Sequence, residues 1–185
     1  MLKFTICFIK QGNKILLLNR EKPSWMGVWN AVGGKIEKDE NPRESAIREV
    51  REETRIGLDD MQFKGIVTWI DEGKFVGGMY VYFFELQLDY NYEVPVKTDE
   101  GILDWKKIEW ILHPENKGIV NNIPRSIEKI ISSTNCFEHR CYYEHGQLID
   151  DEFIDINEDI EYITDKKIIE EEIFSKRLKE DHAVR

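Results

Sequence analysis

The chain has 185 residues, 41% of them hydrophobic and 34% charged, and carries a formal net charge of −10. This composition predicts one soluble globular domain with an extension, and no apolar run approaches the roughly 20 residues of a membrane span. The acidic balance and the lack of a basic stripe argue against nucleic-acid-binding classes, so we expect neither a membrane nor a nucleic-acid partner. Most of the negative charge falls in residues 134–185, and residues 1–133 are close to neutral.

The cysteines bear on the cellular compartment. Cys7, Cys136 and Cys141 form an odd set without a C-x-x-C pair, which predicts neither a zinc site nor a disulfide framework. The N-terminus has a short apolar run but no small-residue cleavage site, so we interpret it as a strand and not as a secretory signal. We therefore expect a cytoplasmic protein.

The first part of the chain is predicted to form β-strands. Its β-rich runs lie at residues 3–10, 14–18 and 28–32. The first two are separated by Gln11-Gly12-Asn13, a hairpin signal, and a loop at 23–27 precedes the third. Gly33-Gly34 follow directly, and glycines there let the backbone turn tightly and come close to a ligand.

A helix with a well-defined start comes next. Asn41 is a good N-cap, Pro42 fits the first helical position, and Glu44 completes a capping-box pattern. The face expected to pack on the sheet consists of Ala46, Ile47, Val50 and Thr54.

Three glutamates lie on another face of this helix. Glu49, Glu52 and Glu53 fall within an arc of about 100° at helical spacing. Three neighbouring carboxylates repel one another unless cations lie between them. Hard divalent cations such as Mg²⁺ or Mn²⁺ suit this oxygen-rich set and also bind phosphate oxygens.

The rest of the chain alternates between sheet and helix. Strands are predicted at 63–70, 79–88 and 103–108, a helix at 123–132, a hairpin at 137–156 and an amphipathic helix at 161–179. Asp71-Glu72-Gly73-Lys74 and Gly77-Gly78 are interpreted as the connection between the first two of these strands. We expect a domain at residues 1–156 and an acidic helical extension at 157–185.

The region from Gly33 to Ile56 resembles the Nudix box, G-x5-E-x7-R-E-U-x-E-E-x-G-U, in which U is a bulky aliphatic residue. The matching positions are Gly34, Glu40, Arg48, Glu49, Val50, Glu52, Glu53 and Ile56. Arg55 departs from the pattern, because the family usually has glycine there. Since arginine adopts the left-handed conformation reluctantly, we expect the helix to continue to Gly57, with Arg55 near its C-terminal dipole.

The resemblance implies a fold and a reaction. The fold is of the α/β (α+β) class, a mixed sheet sandwiched between helices in an α/β/α sandwich, and the similarity covers residues 3–133. The reaction is hydrolysis of a nucleoside diphosphate linked to another group. Mg²⁺ is the expected cofactor and Mn²⁺ is an alternative, and the partner would be a small-molecule nucleotide, with a monomer or a homodimer both left open.

Roles for individual residues also come from the resemblance. The implied metal ligands are Gly33 through its carbonyl, Glu49, Glu52, Glu53 and Glu100. Glu53 is the first candidate for the general base, with Glu49 or Glu100 behind it, and Asp99 competes with Glu100, which otherwise belongs to a solvated acidic turn. Glu40 and Arg48 would orient the metal-binding carboxylates.

The substrate is less well defined than the reaction. Arg20 and Lys35 are candidates for binding the phosphates, unless they are simply solvent-exposed. Trp29-Asn30 before the glycine pair resembles the MutT-like oxidised-purine nucleoside triphosphatases, in which the asparagine contacts the purine. For Trp25 and Trp29 the alternative is core packing; the weakest matches to base-binding residues are Trp110 and Asn121-Asn122.

These features favour a nucleotide-pool-sanitising hydrolase that cleaves a nucleoside triphosphate, with 8-oxo-dGTP the leading substrate, to the monophosphate and pyrophosphate. One alternative is a broad-specificity pyrophosphatase acting on ADP-ribose or dinucleoside polyphosphates. Glu72 and Lys74 argue against it, because those branches often have proline and tyrosine at these positions. A second alternative is a non-catalytic nucleotide-sensing module, which would not need the intact acidic set.

Overall fold

A computed structural model describes residues 2–163 and shows one mixed sheet with helices on both faces. The strands are β1 (Leu2–Gln11), β2 (Lys14–Arg20), β3 (Trp29–Asn30), β4 (Gln62–Asp71), β5 (Lys74–Glu85), β6 (Val96–Lys97), β7 (Gly101–Lys107), β8 (Phe137–Glu144) and β9 (Gln147–Asp155). The helices are α1 (Pro42–Thr54), α2 (Ile108–Ile111) and α3 (Ile123–Ser132), followed by a 3₁₀ turn at Glu158–Glu161.

The strand order is β6-β7-β2-β1-β5-β4-β8-β9, and β3 pairs with β2 outside this path. β1 runs parallel to β5 and β4 runs parallel to β8, whereas the other pairs are antiparallel. The sheet is therefore mixed, and the predicted α/β (α+β) fold is confirmed.

The two faces of β1 build two separate cores. Cys7 and Ile9 pack with Ala46 and Val50 of α1, whereas the alternate residues pack with α3. On the α3 side the packed residues include Ile6, Phe8, Ile123 and Ile127. This alternation follows from the two-residue period of a strand, and it places α1 and α3 on opposite faces.

Helix α1 begins as predicted but ends earlier. The Asn41 side chain accepts a hydrogen bond from the Glu44 N–H at 2.9 Å, and the Glu44 carboxylate accepts one from the Asn41 N–H at 3.0 Å. The expected continuation to Gly57 is wrong, because the helix stops at Thr54 and Arg55 adopts the left-handed conformation with φ 65°.

Local contacts explain this early end. The Thr54 hydroxyl donates to the Val50 carbonyl at 2.6 Å and accepts from the Ile56 N–H at 3.0 Å. Ile56 is fully buried directly after the turn. The burial of an isoleucine side chain stabilises by about 1.5–3 kcal/mol, which offsets the roughly 1–2 kcal/mol cost of the left-handed conformation.

The glycine pair at 77–78 lies inside β5, so its predicted place in a connection is wrong. The hairpin between β4 and β5 instead turns at Glu72-Gly73. A Cβ on Gly78 would overlap the Val67 carbonyl of the neighbouring strand. Glycine at this position therefore permits close approach of two strands and does not mark a turn.

The end of the described chain packs against the start of α1. Glu161 is buried, and its carboxylate accepts hydrogen bonds from Arg43 Nε and Nη2 at 2.8 and 2.9 Å and from the Tyr82 hydroxyl at 2.9 Å. The helix predicted at 161–179 lies outside the described residues from 164 onward. The extension predicted from residue 157 stays a prediction, although its first residues up to 163 contact the domain. Within residues 2–163, no helix combines the length and apolarity needed to cross a membrane.

Candidate active site

Glu49, Glu52 and Glu53 of α1 line a cavity of about 1130 Å³. The cavity wall also contains Gly33 and Gly34, and it continues across β1, β5 and β4. The helix therefore presents the predicted acidic face to a space large enough for a nucleotide.

Glu53 is the most enclosed of the three glutamates. Its carboxylate accepts a hydrogen bond from the Gly33 N–H at 3.2 Å. Burial raises the pKa of Glu53 to about 7, the Gly33 hydrogen bond opposes this rise, and the charges of Glu49 and Glu100 reinforce it. A carboxylate in this environment is stabilised in its charged form when a cation is bound beside it.

Arg48 organises the other box carboxylates. Its Nη1 donates to Glu49 at 2.8 Å and to Glu52 at 3.2 Å. Its Nε and Nη2 donate to the two oxygens of Glu40 at 2.7 and 3.0 Å, and this bond to Arg48 is the main reason why the pKa of Glu40 is lowered. Arg48 therefore pairs with both Glu40 and Glu52. Burial raises the pKa of Glu49, and its hydrogen bond to Arg48 opposes the rise.

The two box glycines are required by close packing. A Cβ on Gly34 would overlap the Glu49 carboxyl group, and a Cβ on Gly33 would overlap the Thr5 carbonyl. Gly33 also has φ 148°, which L side chains rarely adopt. The loop before α1 can therefore approach the carboxylates only because both residues lack a side chain.

Acidic and basic groups meet on the β2–β7 side of the cavity. Glu100 lies directly before β7, where Lys22 Nζ donates to it at 2.6 Å and Arg20 Nη2 lies 3.7 Å from it. Arg20, Asp99 and Glu100 all line the cavity. The negative charge of Glu100 contributes to the raised pKa of Glu53, so the carboxylate of this loop interacts electrostatically with a carboxylate of α1.

The oxygen atoms of this site are of the chemical type that binds divalent cations. Among residues 2–163, no three His, Cys, Asp or Glu side chains already converge in metal-binding geometry, and Arg48 occupies oxygens of Glu49 and Glu52. Carboxylate and carbonyl oxygens are nevertheless the ligands that Mg²⁺ and Mn²⁺ prefer. The residues that would hold the cation are Gly33 through its carbonyl, Glu49, Glu52, Glu53 and Glu100.

The predicted substrate-binding residues divide into two groups. Arg20, Asn30 and the exposed Lys35 line the cavity, whereas Trp29 lies outside its described lining. The Trp29 ring packs edge-on against Trp110, with ring centroids 6.4 Å apart, and Lys106 Nζ lies 4.1 Å from the Trp29 centroid.

Trp25, in the loop after β2, borders the cavity, whereas Trp29 on β3 does not. It is 45% exposed, and it lines the same space as Asn30. Asn122 also lies in the lining, whereas Asn121 and Trp110 lie outside it. Trp25 is therefore available for contact with a ligand, whereas the Trp29 ring packs against Trp110 and Lys106.

Several lining residues that could contact a ligand were not singled out as site residues by the sequence. They include Thr5, Trp69, Asp71 and Tyr143. Trp69 and Asp71 alternate on one face of β4, which a two-residue period indicates, but the period does not reveal which face borders a cavity. Thr5 and Asp71 each carry a buried oxygen without a partner, a property that only the tertiary structure exposes.

A mixed sheet with an acidic, capped helix beside a large cavity is the arrangement expected for a hydrolase with a Nudix fold. The NUDIX domain family matches residues 2–127. The solved structure of a MutT protein from Bacillus halodurans is 27% identical, covers 83% of this chain and 97% of its own, and has a TM-score of 0.64.

Two curated relatives agree with this class. The uncharacterized Nudix hydrolase YvcI of Bacillus subtilis is 34% identical over 107 residues, which cover 57% of this chain and 66% of that protein, just under two thirds. The oxidized purine nucleoside triphosphate hydrolase of Mus musculus is 26% identical over 111 residues, covering 58% of this chain and 67% of that protein. The chain belongs to the Nudix hydrolase family, whose enzymes act on diphosphate bonds.

Proposed function

We propose that this protein cleaves a nucleoside triphosphate to the nucleoside monophosphate and pyrophosphate, with Mg²⁺ or Mn²⁺ as its cofactor. The observation that carries the proposal is the set of Glu49, Glu52 and Glu53 in one cavity with Arg20. Carboxylates that can hold a cation, together with an arginine for phosphate oxygens, form the pairing that diphosphate hydrolysis requires.

Each residue of the cavity has a distinct task in this proposal. Glu53 accepts the proton of the attacking water, with Glu49 or Glu100 as the next candidate for this task. Arg48 orients Glu49 and Glu52, and Arg20 and Lys35 bind phosphate oxygens away from the reacting bond. When bound, a divalent cation neutralises phosphate charge and lowers the pKa of water.

The candidate substrate is an oxidised purine nucleotide such as 8-oxo-dGTP. Two observations support it: Asn30 borders the cavity next to the glycine pair, and the mouse relative is named for oxidized purine nucleoside triphosphates. Removal of such nucleotides would protect DNA from incorporation of the damaged base. The three free thiols of Cys7, Cys136 and Cys141 suit the reducing cytoplasm, where we place this role.

Product analysis on a nucleotide panel tests the proposal. The purified chain is incubated with Mg²⁺ and 8-oxo-dGTP, dGTP, the other dNTPs, ADP-ribose or Ap4A. Monophosphate and pyrophosphate from triphosphates, with a strong preference for the oxidised purine, are expected. Turnover of only ADP-ribose or Ap4A would overturn the substrate class, and tight nucleotide binding without turnover of any substrate would replace catalysis with sensing.

A further inference from the structure

Three buried polar atoms in residues 2–163 have no hydrogen-bond partner: Thr5 Oγ1, Arg20 Nε and Asp71 Oδ1. All three residues line the same cavity. An unpaired buried polar group is costly, so such groups are rare and call for an explanation. The three side chains surround one space, so they are the candidates for polar contact with a ligand bound there.

The three residues lie on neighbouring strands and mark a path across the sheet. Arg20 is on β2, Thr5 on β1 and Asp71 on β4, with β5 between the last two. At the usual spacing of strands, the three intervals from β2 to β4 span about 14 Å. Arg20 lies at the acidic end of this path, beside Glu100, and Asp71 lies at the other end, beside Tyr143 of β8.

The surroundings of Asp71 are flat and largely apolar. Val67 and Trp69 precede it on the same face of β4 by the two-residue period, and all three line the cavity. Val76 and Met79 of β5 add apolar surface to the lining. Aromatic and aliphatic walls of this kind favour a planar heterocycle over a sugar.

The hydrogen-bonding character of Asp71 restricts the heterocycle further. An ionised carboxylate only accepts hydrogen bonds, so its partner must be a donor. Two parallel N–H donors make the strongest pairing with a carboxylate. Guanine and its oxidised form present an adjacent ring N–H and amino group, whereas adenine and cytosine place one amino group beside a ring acceptor.

We propose that Asp71 determines base specificity by accepting hydrogen bonds from the ring N–H and amino group of a guanine-type base. The Thr5 hydroxyl then lies between the base end and the phosphate end marked by Arg20. This inference rests on the proposed function and names the feature of the nucleotide that the cavity selects.

The test compares Asp71→Asn with the matched control Glu72→Gln. Glu72 is the next residue, is exposed, and does not line the cavity, so its variant removes the same charge outside the proposed contact. Binding of dGMP, dIMP and dAMP is measured by calorimetry without metal, and kcat/KM is measured for dGTP, dITP and dATP. dIMP and dITP lack the amino group of guanine and keep its ring N–H.

Wild type is expected to prefer guanine over hypoxanthine and adenine. Asp71→Asn should weaken dGMP binding and lower kcat/KM for dGTP by about 10- to 100-fold, as for the loss of hydrogen bonds to a charged group. The effect on the adenine nucleotides should be under about threefold, since Asn can both donate and accept. Glu72→Gln should preserve the wild-type ranking.

Other results overturn the inference. An unchanged ranking of bases in Asp71→Asn would remove Asp71 from base recognition. An equal loss for all three bases, matched by weaker binding of deoxyribose 5-phosphate, would assign Asp71 to the sugar. If wild type hydrolyses no triphosphate, the proposed function fails, and the binding of the three monophosphates still decides the role of Asp71.

Discussion

At the scale of single residues, Glu53 combines burial with repulsion from other carboxylates. Its pKa of about 7 shows that the folded protein resists a negative charge at this position when no cation is bound. The charged form of such a carboxylate lowers the stability of the folded protein, because it is both desolvated and repelled by its neighbours. Residues of this kind are typical of functional sites.

We therefore predict that Glu53→Gln keeps the fold and loses most turnover. The kcat should fall by about 10²- to 10⁴-fold if Glu53 is the general base, and the melting temperature without metal should stay equal or rise. Glu128→Gln, an exposed change on α3, is the control and should leave both quantities unchanged. A near-normal kcat in Glu53→Gln would remove Glu53 from the mechanism.

Variants of two threonines can distinguish an effect on ligand binding from an effect on folding stability. Thr5 and Thr54 are both buried threonines, but only the Thr54 hydroxyl has partners within the protein. Thr5→Val should therefore leave the free energy of unfolding unchanged or slightly higher, whereas Thr54→Val should lower it by about 1 kcal/mol.

In catalysis we expect an effect from the Thr5 variant. If the Thr5 hydroxyl binds the nucleotide, Thr5→Val should raise KM roughly tenfold, the effect of one lost hydrogen bond. Urea unfolding and steady-state kinetics measure the two effects. A Thr5→Val variant that is destabilised and has an unchanged KM would show that Thr5 serves the fold and not the ligand.

At the scale of elements, the β8–β9 hairpin contains a buried histidine. His139 stacks on Phe153 with ring centroids 4.5 Å apart, and its Nε2 lies 2.9 Å from an Asp151 oxygen. Burial lowers the pKa of His139, and the interaction with Asp151 opposes this effect. Arg125, which pairs with Asp151 from α3, adds a further lowering charge.

This lowered pKa predicts a pH dependence of stability. Below the ordinary histidine pKa of about 6.5, the unfolded chain binds a proton that the folded chain resists, so stability is lost as the pH falls. From pH 7.5 to 5.5 the free energy of unfolding should therefore decline more, or rise less, in wild type than in His139→Phe, because Glu53, whose raised pKa acts in the opposite direction, is present in both proteins. His145→Gln, at an exposed position, is the control. An equal change in wild type and His139→Phe would contradict the assignment.

At the scale of the whole molecule, one ion pair connects the end of the described chain to α1. Arg43, in the first turn of α1, pairs with Glu161, which lies more than a hundred residues later and also accepts a hydrogen bond from Tyr82 on the central sheet. This contact lowers the freedom of α1 relative to the sheet, and so it supports the position of the site carboxylates.

Removing that charge should be costly. We predict that Glu161→Gln lowers the free energy of unfolding by about 2 kcal/mol, because it replaces charge-assisted hydrogen bonds to Arg43 with neutral ones and leaves the exposed Asp60 to offset the Arg43 charge. Urea unfolding measures the change, and the exposed Glu158→Gln in the same 3₁₀ turn is the matched control. A midpoint equal to that of the control would show that the pair contributes little to stability.

Patterns that depend on neighbouring residues were readable from the sequence. The Asn41 cap, the hairpin at β8–β9 and the common face of Glu49, Glu52 and Glu53 follow from local hydrogen bonding and from the helical period. The same period places Arg48 one turn before Glu52, with which it pairs. These features depend on residues that are close in sequence: neighbours on the same helix for the cap and the glutamates, and two strands joined by a two-residue turn for the hairpin.

Features that depend on distant residues were decided by the tertiary structure. Arg55 ends α1 because the burial of Ile56 outweighs the cost of a left-handed arginine. Trp25 borders the cavity and Trp29 does not, because the Trp29 ring packs against Trp110 and the Lys106 ammonium group. Thr5 and Asp71 became candidates only when four strands placed their unpaired oxygens around one space. The sequence by itself thus determined the acidic helix and its chemistry, whereas packing between distant segments decided which side chains surround the ligand.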